Sequence, residues 1–123
     1  MGPENRFIQR VHKHLPKEIY REKMHNAYRG GTPDVWYSGK AADLWVEYKW
    51  VAKMPRHGVV PALSALQLGW LQKRVDEGRH CWVIVGVGSD GIVLEDPREW
   101  TSGVKHTPMP ANDVASSIEA WCG

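Results

Sequence analysis

Asp34, Glu47 and Lys49 are the residues whose types and spacing could do chemistry together. Pro33-Asp34 is followed thirteen residues later by Glu47-Tyr48-Lys49. Two carboxylates and an ammonium brought to one place suit metal-assisted cleavage of a phosphodiester. A divalent ion such as Mg²⁺ takes hard oxygen ligands, accepts one or two carboxylates and keeps the rest of its shell for water and phosphate oxygens. Such an ion polarises and positions the phosphate and acidifies a bound water, while a neighbouring lysine stabilises charge on the transition state or orients the attacking water. An ExK tripeptide alone is most often a solvated edge-strand pair; the preceding Pro-Asp and the hairpin that joins the two segments favour the chemical reading.

The elements that must position these groups are legible nearby. Leu44-Trp45-Val46-Glu47-Tyr48-Lys49-Trp50 has the composition and length of a strand. Side chains alternate along it, so Glu47 and Lys49 share one face about 7 Å apart while Leu44, Val46, Tyr48 and Trp50 go to a core on the other. Asp34-Val35-Trp36-Tyr37 reads as the preceding strand, turned back through Ser38-Gly39-Lys40 into an antiparallel hairpin. A helix is expected over residues 3–14, with Pro3 early and Phe7, Ile8, Val11 and Leu15 at helical spacing. Glu4 shares that inner face and could point toward the site, or it could simply complement the helix dipole. Ser64-Ala65-Leu66-Gln67 is a capping-box pattern for a helix running to Glu77 and stopped by Gly78, with Leu68, Leu71 and Val75 buried. Gln67 sits at the margin of that stripe, where capping alone would also explain it. His80 to Val87 is a nearly unbroken apolar run suited to a central strand, reached by a crossover from the Glu47 strand. An outer strand over 91–94 follows a Ser89-Asp90-Gly91 turn, and a closing helix over 112–121 is capped by Asn112 or Asp113. Between Pro16 and Gly31 a short strand falls at Ile19-Tyr20 or at Met24-His25-Asn26-Ala27.

Gly31-Thr32-Pro33-Asp34, a short strand and then Glu47-Tyr48-Lys49 resemble the PD-(D/E)XK nuclease superfamily. The resemblance is closest to small stand-alone VRR-NUC and Holliday-junction-resolvase-like nucleases, often carried by phages. It spans roughly residues 3 to 88, and only the combination of motifs is specific. It implies an α/β fold of restriction-endonuclease type, an αβββαβ core with a mixed central sheet flanked by helices. It also implies a metal-binding role for Asp34, Glu47 and Glu4, catalytic roles for Lys49 and Gln67, and Mg²⁺ or Mn²⁺ as cofactor. Two departures stand out. Tyr48 occupies a position that is usually aliphatic, and the segment from Val51 to Pro61 is longer and more broken by Pro and Gly than in compact members.

A length of 123 residues bounds the chain to one domain, 1–123. Its 42% hydrophobic content and seven tryptophans are those of a folded globule. No apolar run approaches a membrane span and no signal-peptide pattern opens the chain, so the expected location is the cytoplasm of a bacterial or phage-infected cell, away from any membrane. Cys81 and Cys122 make neither a disulfide framework nor a metal quartet and are expected reduced. His12, His14 and His25 complete no zinc pattern and are expected at the surface or facing DNA. Net charge is only +2, yet the first thirty residues hold seven Lys or Arg against three Glu. Lys53, Arg56 and His57 follow the Glu47 strand directly, and with Arg29 they are the candidate phosphate contacts. The expected activity is metal-dependent endonucleolytic hydrolysis of DNA, with branched or junction DNA as a candidate substrate. A homodimer would pair two sites for two strands. A catalytically inactive nucleic-acid-binding module of the same fold and an RNA-directed nuclease are the alternatives.

Overall fold

The computed structural model describes residues 1–25, 30–103 and 105–123. Five strands form one mixed sheet in the order β1 (Tyr20–Lys23), β2 (Val35–Ser38), β3 (Asp43–Val51), β4 (Cys81–Val87) and β5 (Asp90–Leu94). The first three are antiparallel neighbours, β3 and β4 run parallel, and β5 returns antiparallel. Helices α1 (Pro3–Lys13) and α3 (Ala111–Cys122) pack on one face. Helix α2 (Ala65–Asp76), which joins β3 to β4, packs on the other face with a 3₁₀ turn at Pro97–Trp100. The α/β class, the mixed sheet and the αβββαβ order expected from the sequence are all present. Among the described residues no helix is long and apolar enough to cross a membrane.

Alternation along β3 divides the sheet as its sequence requires. Leu44, Val46 and Tyr48 are fully buried against α1 and α3, whereas Trp45, Glu47 and Lys49 point to the α2 side. Helix α1 docks through Phe7, whose ring lies over the glycines of the β4–β5 hairpin. A Cβ at Gly86 would stand 2.9 Å from the Phe7 ring, and one at Gly91 only 2.6 Å from it. Arg21 of β1 ties the far end of α1 down by donating to the carbonyls of His12, Leu15, Pro16 and Ile19 at 2.7–3.3 Å. Cys81 and Cys122 are both buried free thiols, and burial pushes each up to about 11.

Three expectations are corrected. The β4–β5 turn is Gly88-Ser89, one residue earlier than expected, because Asp90 already pairs with Val87 and Gly88 takes the positive φ of 61° that the turn needs. Helix α3 begins at Ala111 behind Pro110, with no side-chain cap from Asn112 or Asp113; both fall inside the helix, and the proline sets its start. The early strand is Tyr20–Lys23, which shares only Tyr20 with the Ile19-Tyr20 position expected and runs on to Lys23; of the alternative, residues 26 and 27 lie outside the described residues.

His12 is the fourth correction. It is half-buried rather than a free surface group: its Nε2 meets the Tyr37 hydroxyl at 2.7 Å at the edge of the core between α1 and the sheet, and Tyr37 meets the buried Tyr48 hydroxyl at 2.6 Å. Sequence patterning missed it because His12 follows Val11 at the edge of an apolar stripe, where its partner comes from a strand 25 residues away. Burial, aided by the Arg21 and Lys23 cations, pushes His12 down to about 4. The unfolded chain, with this histidine at its ordinary 6.5, therefore binds more protons between those values, and stability falls as pH drops through that window. We expect the unfolding free energy from denaturant titration to decline from pH 6.5 to 4 by on the order of 1–2 kcal/mol more in the wild type than in His12→Gln. Equal pH slopes for the two proteins would show that His12 is solvated.

Candidate active site

The candidate residues converge where β2 starts and β3 is half run. The chain reaches Asp34 through Gly31, which has a φ of 101° and passes so close to α2 that a Cβ would stand 2.5 Å from the Leu66 carbonyl oxygen. Pro33 is buried behind it. Asp34 is then held at both ends: its carbonyl accepts from Met24 N–H at 2.8 Å, and its Oδ2 accepts from Tyr48 N–H at 2.8 Å. Asp34 therefore enters from the strand next to Glu47, as the hairpin reading requires.

Glu47 is the one charged residue of the described core, with only 2% of its surface exposed. Its Oε2 lies 3.4 Å from Lys49 Nζ, and its Oε1 is buried with no hydrogen-bond donor. The Asp34 carboxyl is near enough to act on the Glu47 charge. Two carboxylates so placed need a proton or a cation between them. Burial first, and the Asp34 charge second, push the Glu47 carboxyl up to about 8, with Lys49 opposing. Lys49 keeps 22% of its side chain open to solvent and donates to Gln67 Oε1 at 3.0 Å. That same oxygen accepts from Ser64 N–H at 3.0 Å, while Gln67 N–H donates to Ser64 Oγ at 3.1 Å. Gln67 thus completes the capping box of α2 and holds Lys49 with one atom.

Glu4, in the first turn of α1, is half-buried and raised by burial and by the Asp34 charge, with Lys49 and Lys23 opposing. It stands in the electrostatic field of the site rather than in hydrogen-bond contact with it. Lys23, which also donates to Asn5 Oδ1 at 2.6 Å, is a neighbour that sequence reasoning missed. A lysine on a short exposed strand carries no distinguishing signal. Lys53, Arg56 and His57 are exposed in the loop after β3, and Arg29 lies outside the described residues.

Among the described residues no group of three His, Cys, Asp or Glu is gathered to hold a metal ion. What is gathered is a pair of carboxylates with an orphaned buried oxygen, a donor set that fits a hard divalent ion needing one or two protein carboxylates.

Neither protein-family models nor curated proteins match the chain. Among solved structures it is similar to Hjc, a Holliday junction resolvase from the archaeal hyperthermophile Archaeoglobus fulgidus. The TM-score is 0.58, at 13% identity over 94% of this chain and 97% of that one. At that identity the likeness shows the fold alone, a five-stranded mixed sheet flanked by helices.

Above pH 8, where the Glu47 carboxyl has lost its proton, it repels Asp34 in the metal-free protein, and Asn at position 34 relieves this: its Oδ1 can still accept from Tyr48 N–H and its amide can donate toward Glu47. Asp34→Asn is therefore expected to raise the melting temperature in EDTA by about 3–6 °C, equivalent to on the order of 1 kcal/mol for a chain of this size. A lower melting temperature would show that the two carboxyl groups are not opposed in the metal-free protein.

Proposed function

We propose that the chain is a PD-(D/E)XK nuclease that hydrolyses DNA with the help of Mg²⁺ or Mn²⁺, and that branched or junction DNA is its substrate. The observation that carries this reading is the buried Glu47 carboxyl, whose Oε1 has no donor, whose Oε2 meets Lys49 and whose charge is opposed by that of Asp34. A protein evolving only for stability has little use for such a pair, because an uncompensated buried carboxylate destabilises the fold. The fold shared with a Holliday junction resolvase supports the same class of reaction and supplies the junction as the substrate to test.

On this reading Asp34 and Glu47 hold the ion and Glu4 assists from the first turn of α1. The ion, when bound, supplies Lewis-acid activation of the phosphodiester. Lys49 presents its ammonium to the phosphate or to the attacking water, and Gln67 fixes where that ammonium points. Tyr48 contributes through its backbone, which anchors Asp34. Lys53, Arg56, His57 and Arg29 contact phosphates to either side of the scissile bond. Residues 1–123 act as one nuclease domain, and two copies supply one site per strand. The motif spacing alone suggests kinship with small VRR-NUC enzymes of phages and a cytoplasmic place of action.

Cleavage of end-labelled four-way junction, flap, linear duplex and single-stranded DNA, beside RNA counterparts, tests this directly. Cutting is expected only with Mg²⁺ or Mn²⁺, with junction or flap DNA favoured. Lys49→Ala and Glu47→Ala should each lower the rate by about a hundredfold or more while remaining folded. Binding without cutting on every substrate, unchanged in both variants, would make the chain an inactive binding module; preferential cutting of RNA would reassign the substrate.

Gln67 allows a finer test. Ser64→Ala removes the half of the box in which Ser64 Oγ accepts from Gln67 N–H and leaves the Lys49 contact, whereas Gln67→Ala removes the other half, the donation from Ser64 N–H to Gln67 Oε1, together with the Lys49 contact. Both variants should lose on the order of 1 kcal/mol of stability, and only Gln67→Ala should also lose turnover, by about tenfold or more. Equal turnover in the two would reduce Gln67 to a capping residue.

A further inference from the structure

On the α2 side of the sheet, the face that carries Asp34, Glu47 and Lys49 continues into a row of four aromatic side chains. Tyr20 of β1, Trp36 of β2, Trp45 of β3 and Trp70 of α2 follow one another with ring centroids 5.6, 6.2 and 5.2 Å apart. Strand register puts them there. Trp36 pairs with Trp45 and lies two residues after Asp34, and Trp45 lies two residues before Glu47. The row thus begins about 7 Å along each strand from the carboxylates, a distance of about two stacked nucleotides. Trp45 and Trp70 pack at the edge of the core beneath α2, whereas Tyr20 and Trp36 belong to neither core of the sheet. Tyr20 is 53% exposed and the three tryptophans are half-buried, with no described helix packed over β1 and β2 on this side. Arg74 lays its guanidinium 5.2 Å over the Trp70 ring while pairing with Glu77. At Trp45 a cavity of about 290 Å³ opens, rimmed by Arg79 and His80.

Resting on the nuclease reading of the neighbouring carboxylates, we infer that this row is a stacking platform for unpaired nucleotides adjoining the scissile phosphate. Aromatic rings interleaved with guanidinium groups hold splayed bases without reading their sequence, through π-faces that every base has. In a paired duplex those faces are hidden inside the helix, so the platform selects substrates with an unpaired stretch next to the cut: flaps, single-stranded gaps and opened junction arms. The occupant is a nucleic acid rather than a second copy of the chain because the row is continuous with the carboxylate site on the same face. Its partly exposed members are all aromatic, and its far end carries Arg74 and Arg79, which share Glu77 between them and so keep a net positive charge there.

The test is binding in EDTA, where no cutting occurs, to a flap whose unpaired nucleotides are either normal or abasic, for wild type, Tyr20→Ala, Trp36→Ala and Trp36→Phe. Wild type should bind the normal flap about tenfold or more tighter than the abasic one, a preference that disappears in Trp36→Ala, weakens in Tyr20→Ala and is restored in Trp36→Phe. Equal binding of the two flaps by wild type, or no binding of either, overturns the inference. So does equal weakening on both flaps in the variants, or a shift from dimer to monomer in sedimentation with the preference intact, which would make the row a contact between copies. A wild type that shows the base-dependent preference yet never cuts with metal leaves the platform standing and sinks only the nuclease reading.

Discussion

Much of the site depends on the hydrogen bond from Tyr48 N–H to the Asp34 carboxylate. Asp34 stands just ahead of β2, where ladder pairing with β3 has not yet begun, and this bond extends the hold of β3 over it. It satisfies one side of a carboxylate whose other side confronts Glu47. Without it Asp34 would be free to swing away from a like charge, and the repulsion would be relieved by movement instead of being stored. Tyr48 resists such relief because its own side chain is locked in the opposite core, edge-on to Phe7 and bonded to Tyr37. One residue thus couples the apolar core on one face of the sheet to the polar pocket on the other, and the strand's alternation makes the coupling obligatory.

This gives a physical role to the tyrosine that departs from the aliphatic pattern. An aliphatic side chain would fill the same space, yet it could not join the hydroxyl chain from His12 through Tyr37. The chain of three polar groups fixes helix α1 against β2 and β3 with directional contacts as well as dispersion. Since Glu4 lies one turn before Phe7 on that helix, the same contacts help to set where its carboxylate stands.

Most of this was legible in the sequence where local rules govern. The β2–β3 hairpin, the capping box at Ser64 and the apolar run of β4 each follow from neighbours a few residues apart, and the face shared by Glu47 and Lys49 follows from the period of a strand. What local pattern could not convey was pairing across the fold. His12 finds Tyr37, Lys23 finds Asn5, and Tyr20 finds Trp36 only once the sheet is assembled. The turn at Gly88-Ser89 was misplaced by one residue because two glycines flank Ser89-Asp90 and only the strand register selects between them. The contact of Gln67 with Lys49 is likewise invisible locally, since nothing in a four-residue motif shows that the amide oxygen that caps the helix also accepts from a lysine on β3.

The two cysteines end up where chemistry cannot easily reach them. Cys81 begins β4 beneath α2 and Cys122 ends α3, both buried and both held as thiols at neutral pH. Since the thiolate is the reactive species in exchange and oxidation, the native protein has little to offer an oxidant or an alkylating reagent. Its behaviour is therefore indifferent to the redox poise of its surroundings while it stays folded, and labelling of these thiols becomes a clock for opening of the structure rather than a handle for regulating it.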